Sequence, residues 1–142
     1  MIGIAVISHG GLCEGLFDSV GMIAGTPEQA EVLSLKPGMS PDDYRQKLSE
    51  VIERLDTGAG VLVMVDILGG TPFNSAAFLT QETDKVEVVT GVNLPMLISA
   101  SLERTDDMTL IELAEKVRAA GADSIKILQQ QSAEEVDDDE EV

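Results

Sequence analysis

The chain has 142 residues, 44% of them hydrophobic, 25% charged and 3% aromatic, with a net charge of −17. This length suits one domain whose core is built from Val, Ile, Leu, Ala and Met, and the charge excludes nucleic acid and anionic membrane surfaces, whose phosphates repel it. A single cysteine, Cys13, excludes an internal disulfide, no apolar run approaches the roughly 20 residues that span a bilayer, and the N-terminus lacks the basic region of a signal peptide, so a cytoplasmic protein is expected.

In chain order, residues 2–8 (IGIAVIS) and 60–66 (GVLVMVD) are apolar on both faces, as strands of a parallel sheet covered by helices must be. Residues 31–35 (EVLSL) and 86–90 (VEVVT) are further strand candidates, and residues 124–128 (SIKIL) alternate as an edge or intersubunit strand would. Between these the period lengthens. Leu12, Leu16, Val20 and Ile23 share one helical face, with Phe17 and Ala24 beside it. Tyr44, Leu48, Val51, Ile52 and Leu55 share another, in a helix that Ser40 caps and Pro41 begins. A helix is predicted to open at Thr71-Pro72, a short one at Leu94-Pro95, and a longer one over residues 110–120. Strands alternating with helices specify an α/β domain with a doubly wound, mostly parallel sheet over residues 1–129. Beyond it, residues 130–142 carry seven carboxylates from Glu134 to Glu141, leaving −10 for the rest, and read as a disordered acidic tail.

Two strand-ending loops carry unusual chemistry. Ser8-His9-Gly10-Gly11 holds the chain's single histidine, and Asp66-Ile67-Leu68-Gly69-Gly70-Thr71-Pro72 follows the third strand. In doubly wound sheets a site forms at the carboxyl ends of the strands, where the strand order reverses. If the second strand lies outside the first, His9 and Asp66 end neighbouring strands over that crevice. Asp66 can then hold Nδ1–H and leave the Nε2 lone pair outward, making a nucleophilic imidazole. Gly10 and Gly11 would let an incoming group approach the ring. Thr71 as N-cap, with Gly69 and Gly70 turning amides inward, would form an anion cradle at a helix N-terminus. A nucleophilic imidazole beside an anion cradle points to phosphoryl transfer through histidine.

Each feature alone has an ordinary structural explanation, and it is the conjunction that carries weight. Other chemistries fit worse. Ser8, His9 and Asp66 invite a triad, but no Gly-x-Ser-x-Gly elbow is present. Cys13 with His9 is too thin a ligand set for zinc, so no metal and no cofactor are expected, and Cys13 reads as packing. The glycines match neither the dinucleotide fingerprint nor the P-loop.

Taken together, VISHGGLCEGL, VLVMVDILGGTPFNSA and VVTGVNLPMLI resemble the IIA component of the mannose family of the bacterial phosphoenolpyruvate-dependent sugar phosphotransferase system, over residues 1–129. The resemblance implies a flavodoxin-like sheet and a homodimer in which residues 124–128 cross to the partner's sheet. It implies that His9 accepts a phosphoryl group from the small phosphocarrier protein HPr. His9 then passes the group to a histidine of the IIB component, which phosphorylates sugar entering through the membrane IIC and IID proteins. It places the supporting carboxylate at Asp66, the phosphate-binding amides and hydroxyl at Gly69, Gly70 and Thr71, and a bordering loop at residues 91–95, with Asn93 lining the site. Family members often continue into a fused IIB domain. This chain reads as a stand-alone subunit. The rival readings are the phosphocarrier subunit that feeds dihydroxyacetone kinase, a phosphorylation-state-dependent regulator, and a small hydrolase.

Overall fold

The computed structural model describes residues 1–130, so all but the first residue of the expected acidic tail lies outside the described residues. Four strands form one parallel sheet: β1 (Gly3–His9), β2 (Ala30–Leu35), β3 (Val61–Val65) and β4 (Val86–Thr90), in the spatial order β2-β1-β3-β4. This is the doubly wound, flavodoxin-like arrangement, with β2 outside β1. Five helices connect and cover it: α1 (Leu12–Ala24), α2 (Pro41–Leu55), α3 (Gly70–Thr80), α4 (Leu94–Glu103) and α5 (Leu110–Asp123). No helix among the described residues is long and apolar enough to cross a membrane.

The two-sided apolarity of β1 and β3 has a direct structural cause. Ile4, Val6, Leu62 and Met64 point into one core with Cys13 and Val20 of α1, Met96 and Leu97 of α4, and Leu113 and Val117 of α5. Their strand neighbours Ala5, Ile7, Val61, Val63 and Val65 point into the other core with Tyr44 and Leu48 of α2 and Ala76 and Leu79 of α3. A fully buried Ile or Val contributes roughly 1.5–3 kcal/mol of transfer free energy, so the two central strands anchor both layers. The caps of α2 follow the sequence: Ser40 Oγ accepts from the Asp43 N–H and Pro41 is the first helical residue. Thr109 caps α5 in a reciprocal box with Glu112.

The structure corrects the sequence at the first turn of α1, the start of α3 and the end of α5. The buried face of α1 is Cys13 and Val20, with Leu16, Phe17 and Ala24 packed beside it. Leu12 is instead half exposed, because the face centred on Cys13, Val20 and Ala24 turns Cys13, not its neighbour Leu12, into the core. α3 begins at Gly70, so Thr71 is its second residue and not its N-cap. Gly69 and Gly70 have φ of 90° and 85°, and this glycine-only turn sets the helix start without a side-chain cap. α4 opens at Leu94 and is short at ten residues, as expected, while α5 runs to Asp123, past the end expected at residue 120. Residues 124–128 do not form a strand in this chain. The segment leaves α5 with Ile125, Ile127 and Leu128 exposed, and a 3-10 turn spans Leu128–Gln130. Within one chain the segment pairs with none of the four strands, whereas the crossing that the resemblance implies concerns two copies.

Candidate functional site

The register of the central strands places the two loops together. Gly3 to Ile7 of β1 stand opposite Val61 to Val65 of β3, and the Asp66 N–H donates to Ile7 O at 3.2 Å. Asp66 is therefore the first residue past the paired segment on β3 and His9 the second past it on β1, close enough for Asp66 to bond the His9 N–H. α1 then leaves toward one core and α3 toward the other, so the two loops part and leave a crevice at the sheet's carboxyl edge.

Asp66 holds His9 twice. Its Oδ2 accepts from the His9 backbone N–H at 2.8 Å and lies 2.8 Å from His9 Nδ1, while Oδ1 accepts from the Ile67 N–H at 2.9 Å. The Asp66 side chain is 9% exposed and that of His9 46% exposed. Burial on its own raises the carboxyl pKa. The hydrogen bonds from the His9 backbone, the His9 ring and the Ile67 backbone outweigh it and hold Asp66 below the usual carboxylate value. An ionised carboxylate only accepts hydrogen bonds, so the proton in the contact sits on Nδ1. In the neutral ring the lone pair then lies on Nε2.

The Nε2 edge faces Gly70. A Cβ built on Gly70 would stand 3.1 Å from Nε2 and 3.0 Å from Cε1, so only glycine leaves that edge clear. Gly70 and Thr71 are the first two residues of α3, and their N–H groups have no partner within the helix. Pro72 follows and has no N–H to strand. The helix dipole adds partial positive charge at this end, beside the Nε2 edge of the ring. Residues 8–11 and 66–74 contain no lysine or arginine, so backbone amides and the Thr71 hydroxyl are the donors these loops offer an anion.

The other expected site residues fall as follows. Gly10 and Gly11 are exposed beside His9, with open space where a Cβ would stand. Gly69 precedes α3 at the N-cap position. Asn93 is not turned toward the pair: its Oδ1 caps α4 by accepting from the Met96 N–H at 3.1 Å, and its Nδ2 donates to Gly121 O at 3.2 Å. An N-cap asparagine ahead of Pro95 is the stronger reading of that position. Ser8 and Cys13 take no direct part: Ser8 is fully buried, and buried Cys13 lies with Sγ 3.2 Å from Ser34 Oγ.

Reasoning from the sequence passed over the apolar surface on these loops. Leu12, Ile67 and Leu68 are 50%, 55% and 73% exposed, and two large aliphatic residues between a strand end and a Gly-Gly turn were the available signal.

Residues 3–118 match the family model of the PTS system fructose IIA component. The PTS system mannose-specific EIIAB component of Escherichia coli is 32% identical over 133 residues, which is 94% of this chain but only 41% of that protein, so the chain spans less than half of that relative's length. The PTS system fructose-specific EIIA component of Bacillus subtilis is 28% identical, covering 89% of this chain and 86% of that protein. Among solved structures, phosphotransferase system component EIIA from Streptococcus agalactiae superposes with a TM-score of 0.84 at 32% identity over 92% of this chain and all of that one. The mannose/sorbose-specific IIA subunit from Enterococcus faecalis superposes with a TM-score of 0.82 at 25% identity, covering 92% of this chain and 97% of that one. With matches across both central strands, both loops and four of the five helices, the chain belongs to the mannose- and fructose-type EIIA family of the sugar phosphotransferase system.

Proposed function

We propose that this protein is a phosphoryl carrier whose nucleophile is His9 Nε2. The lone pair of Nε2 attacks the phosphorus of a phosphohistidine on the phosphocarrier HPr. The new N–P bond forms as the donor's N–P bond breaks and its electron pair returns to the donor ring. The reverse step delivers the group to a histidine of the IIB component, which serves sugar uptake through the membrane IIC and IID proteins. Asp66 keeps the proton on Nδ1 throughout and balances the positive ring that forms. The amides of Gly69, Gly70 and Thr71 and the Thr71 hydroxyl receive the phosphoryl oxygens, where positioned donors supply most of the stabilisation of a loose transition state. An anion site without lysine or arginine suits a carrier, since a phosphoryl group bound too tightly would not be passed on. Leu12, Ile67 and Leu68 give the two partner proteins an apolar surface around the histidine, and we place the exchange in the cytoplasm.

The observation that carries this reading is the 2.8 Å contact of Nδ1 with Asp66 while Nε2 lies open beside Gly70. Intact mass after incubation with phosphoenolpyruvate, enzyme I and HPr tests it. One acid-labile phosphoryl adduct is expected, and its decay on adding a IIB protein separates a carrier from a regulator that only displays the phosphate. An unmodified protein beside fully phosphorylated HPr would sink the proposal. Gly70→Ala should cut the rate of adduct formation at least about tenfold, since a methyl group would crowd Nε2 and the site demands positive φ. A rate within twofold of wild type would remove Gly70 from this role.

We further propose a homodimer in which residues 124–128 of each copy pair with the free edge of β4 in the other. The support is local. β4 ends the sheet, a groove between it and α5 is lined by residues 87–90, Ile111 and Ala114, and Ile125 and Ile127 are exposed at period two. Light scattering at micromolar concentration should report a dimer, and the double change Ile125→Asp, Ile127→Asp should shift it to monomer. A monomeric wild type would overturn the pairing.

A further inference from the structure

We infer that Ser8 is a positioning residue for the His9 ring, an inference that rests on the proposed role of His9 and extends it to a buried hydroxyl with no contact to the imidazole. Ser8 is the last buried residue of β1, at 0% exposure, and its Oγ makes two hydrogen bonds, one to the His9 loop and one to the start of α1. It donates to Gly10 O at 2.9 Å and accepts from the Cys13 N–H at 2.9 Å. Cys13 is the second residue of α1, and the N-cap position of that helix is Gly11, which has no side chain to cap it. Ser8 therefore caps α1 from three residues before the N-cap, across the histidine.

The consequence is a closed frame around His9. Its own N–H is held by Asp66 at 2.8 Å. The next amide, Gly10 N–H, donates to Leu35 O at 2.8 Å on β2, and the next carbonyl, Gly10 O, accepts from Ser8. The bond to the Cys13 N–H ties the far end of the loop to α1. Gly10 and Gly11 have open space around them and no side chains of their own, so little besides these bonds fixes the backbone on the C-terminal side of the histidine. Removing the Ser8 hydroxyl leaves Gly10 O and the Cys13 N–H without their partner together. The loop then keeps the Gly10 N–H bond to Leu35 O but loses its tie to the start of α1, and the 2.8 Å contact of Nδ1 with Asp66, which depends on the direction of the His9 Cα–Cβ bond, loosens.

The chain supplies its own control. Ser34 is an equally small serine on β2, directly opposite Ser8 in the strand register and 8% exposed. Its hydroxyl contacts Cys13 Sγ at 3.2 Å and donates to Glu14 at 2.8 Å, and it makes no bond to residues 9–11. A purely structural role predicts like effects from the two serine-to-alanine changes. A positioning role predicts a split.

The test compares Ser8→Ala and Ser34→Ala in the full chain by two readouts. The nitrogen-15 shifts of the His9 ring in the unphosphorylated protein report which nitrogen carries the proton. The rate of adduct formation from phosphorylated HPr reports the nucleophile. Ser8→Ala is expected to move the ring shifts toward a mixture of tautomers and to slow adduct formation about tenfold to a hundredfold. Ser34→Ala is expected to keep both readouts within about twofold of wild type at a similar loss in melting temperature. Wild-type ring shifts and rate in Ser8→Ala, or an equal change in Ser34→Ala, would overturn the inference. Should Ser8→Ala fail to fold, Ser8→Cys, which retains only a weak donor, must show the mixed tautomer, and wild-type shifts there would also overturn it. The ring shifts are read without any phosphoryl donor. A failure of the carrier proposal would show as no adduct in the wild type, whatever the shifts report.

Discussion

His9→Gln should give a folded protein with no acid-labile phosphoryl adduct at all. The loss is total rather than partial because the chain has one histidine and no competent substitute near it. Cys13 is fully buried, with its sulfur against Ser34. Asp66 has both oxygens committed, and transfer to a carboxylate would give an acyl phosphate, which hydroxylamine cleaves and which differs in stability from a phosphoramidate. The fold should survive. The backbone N–H of residue 9 still donates to Asp66, and the Ile67 N–H still satisfies Oδ1, so the change removes one side-chain contact at a half-exposed position. One such contact is worth about 1 kcal/mol, which circular dichroism melts would register as a small shift. Intact mass after incubation with phosphorylated HPr reads the outcome. An adduct of unchanged acid lability in His9→Gln would move the nucleophile elsewhere and dismantle the proposed site.

Much of this site could be read before any coordinates, because it rests on a few strong constraints. Residues 2–8 and 60–66 are apolar at every position that two helix layers must cover, so they could only be central strands. Adjacent central strands then put their terminal residues side by side, which is how His9 and Asp66 could be paired across 57 residues of sequence. What the sequence did not disclose depends on geometry finer than periodicity. Thr71 before Pro72 has the pattern of a cap, yet two glycines at positive φ start the helix one residue early. Leu12 is spaced to share a helical face with Leu16 and Val20, but the buried face centres on Cys13, Val20 and Ala24, so Cys13 enters the core and Leu12 stands at its edge. Asn93 borders the right loop and faces α5, because a cap's direction follows from backbone angles that composition cannot supply. The segment 124–128 alternates as a strand does, yet within one chain it follows α5 and pairs with none of the four strands. Ser8 beside His9 invites a triad, whereas its hydroxyl is spent on the Gly10 carbonyl and the Cys13 N–H.

The second large effect is expected from Asp66→Asn, and the hydrogen bonds specify how it arises. Three N–H groups converge on the carboxylate: His9 N–H and the Nδ1 proton on Oδ2, and Ile67 N–H on Oδ1. An amide has one acceptor oxygen and one NH2 group. With its oxygen toward His9, the NH2 confronts the Ile67 N–H and one donor goes unpaired. With its oxygen toward Ile67, the NH2 confronts the His9 backbone N–H and donates to Nδ1, which forces the ring proton onto Nε2 and removes the nucleophilic lone pair. Each orientation keeps two bonds and sets one pair of donors against each other, so neither excludes the other and the tautomers mix. Both lose the negative charge that offsets the ring's positive charge as the N–P bond forms. Removing one preorganised electrostatic partner of this kind costs about a hundredfold or more in rate, and adduct formation in Asp66→Asn should fall by at least that much. The same substitution leaves a signature in stability against pH. The pKa of Asp66 is depressed in the folded state, so its contribution is fully present above the unfolded value of about 3.9 and is lost as pH falls through the lower folded value. Denaturant unfolding should therefore show wild type above Asp66→Asn at neutral pH, with the gap closing only once the solution is more acidic than the ordinary carboxylate range. A gap that does not change with pH, together with a wild-type transfer rate, would show that the carboxylate neither titrates as a partner of His9 nor holds its proton in place.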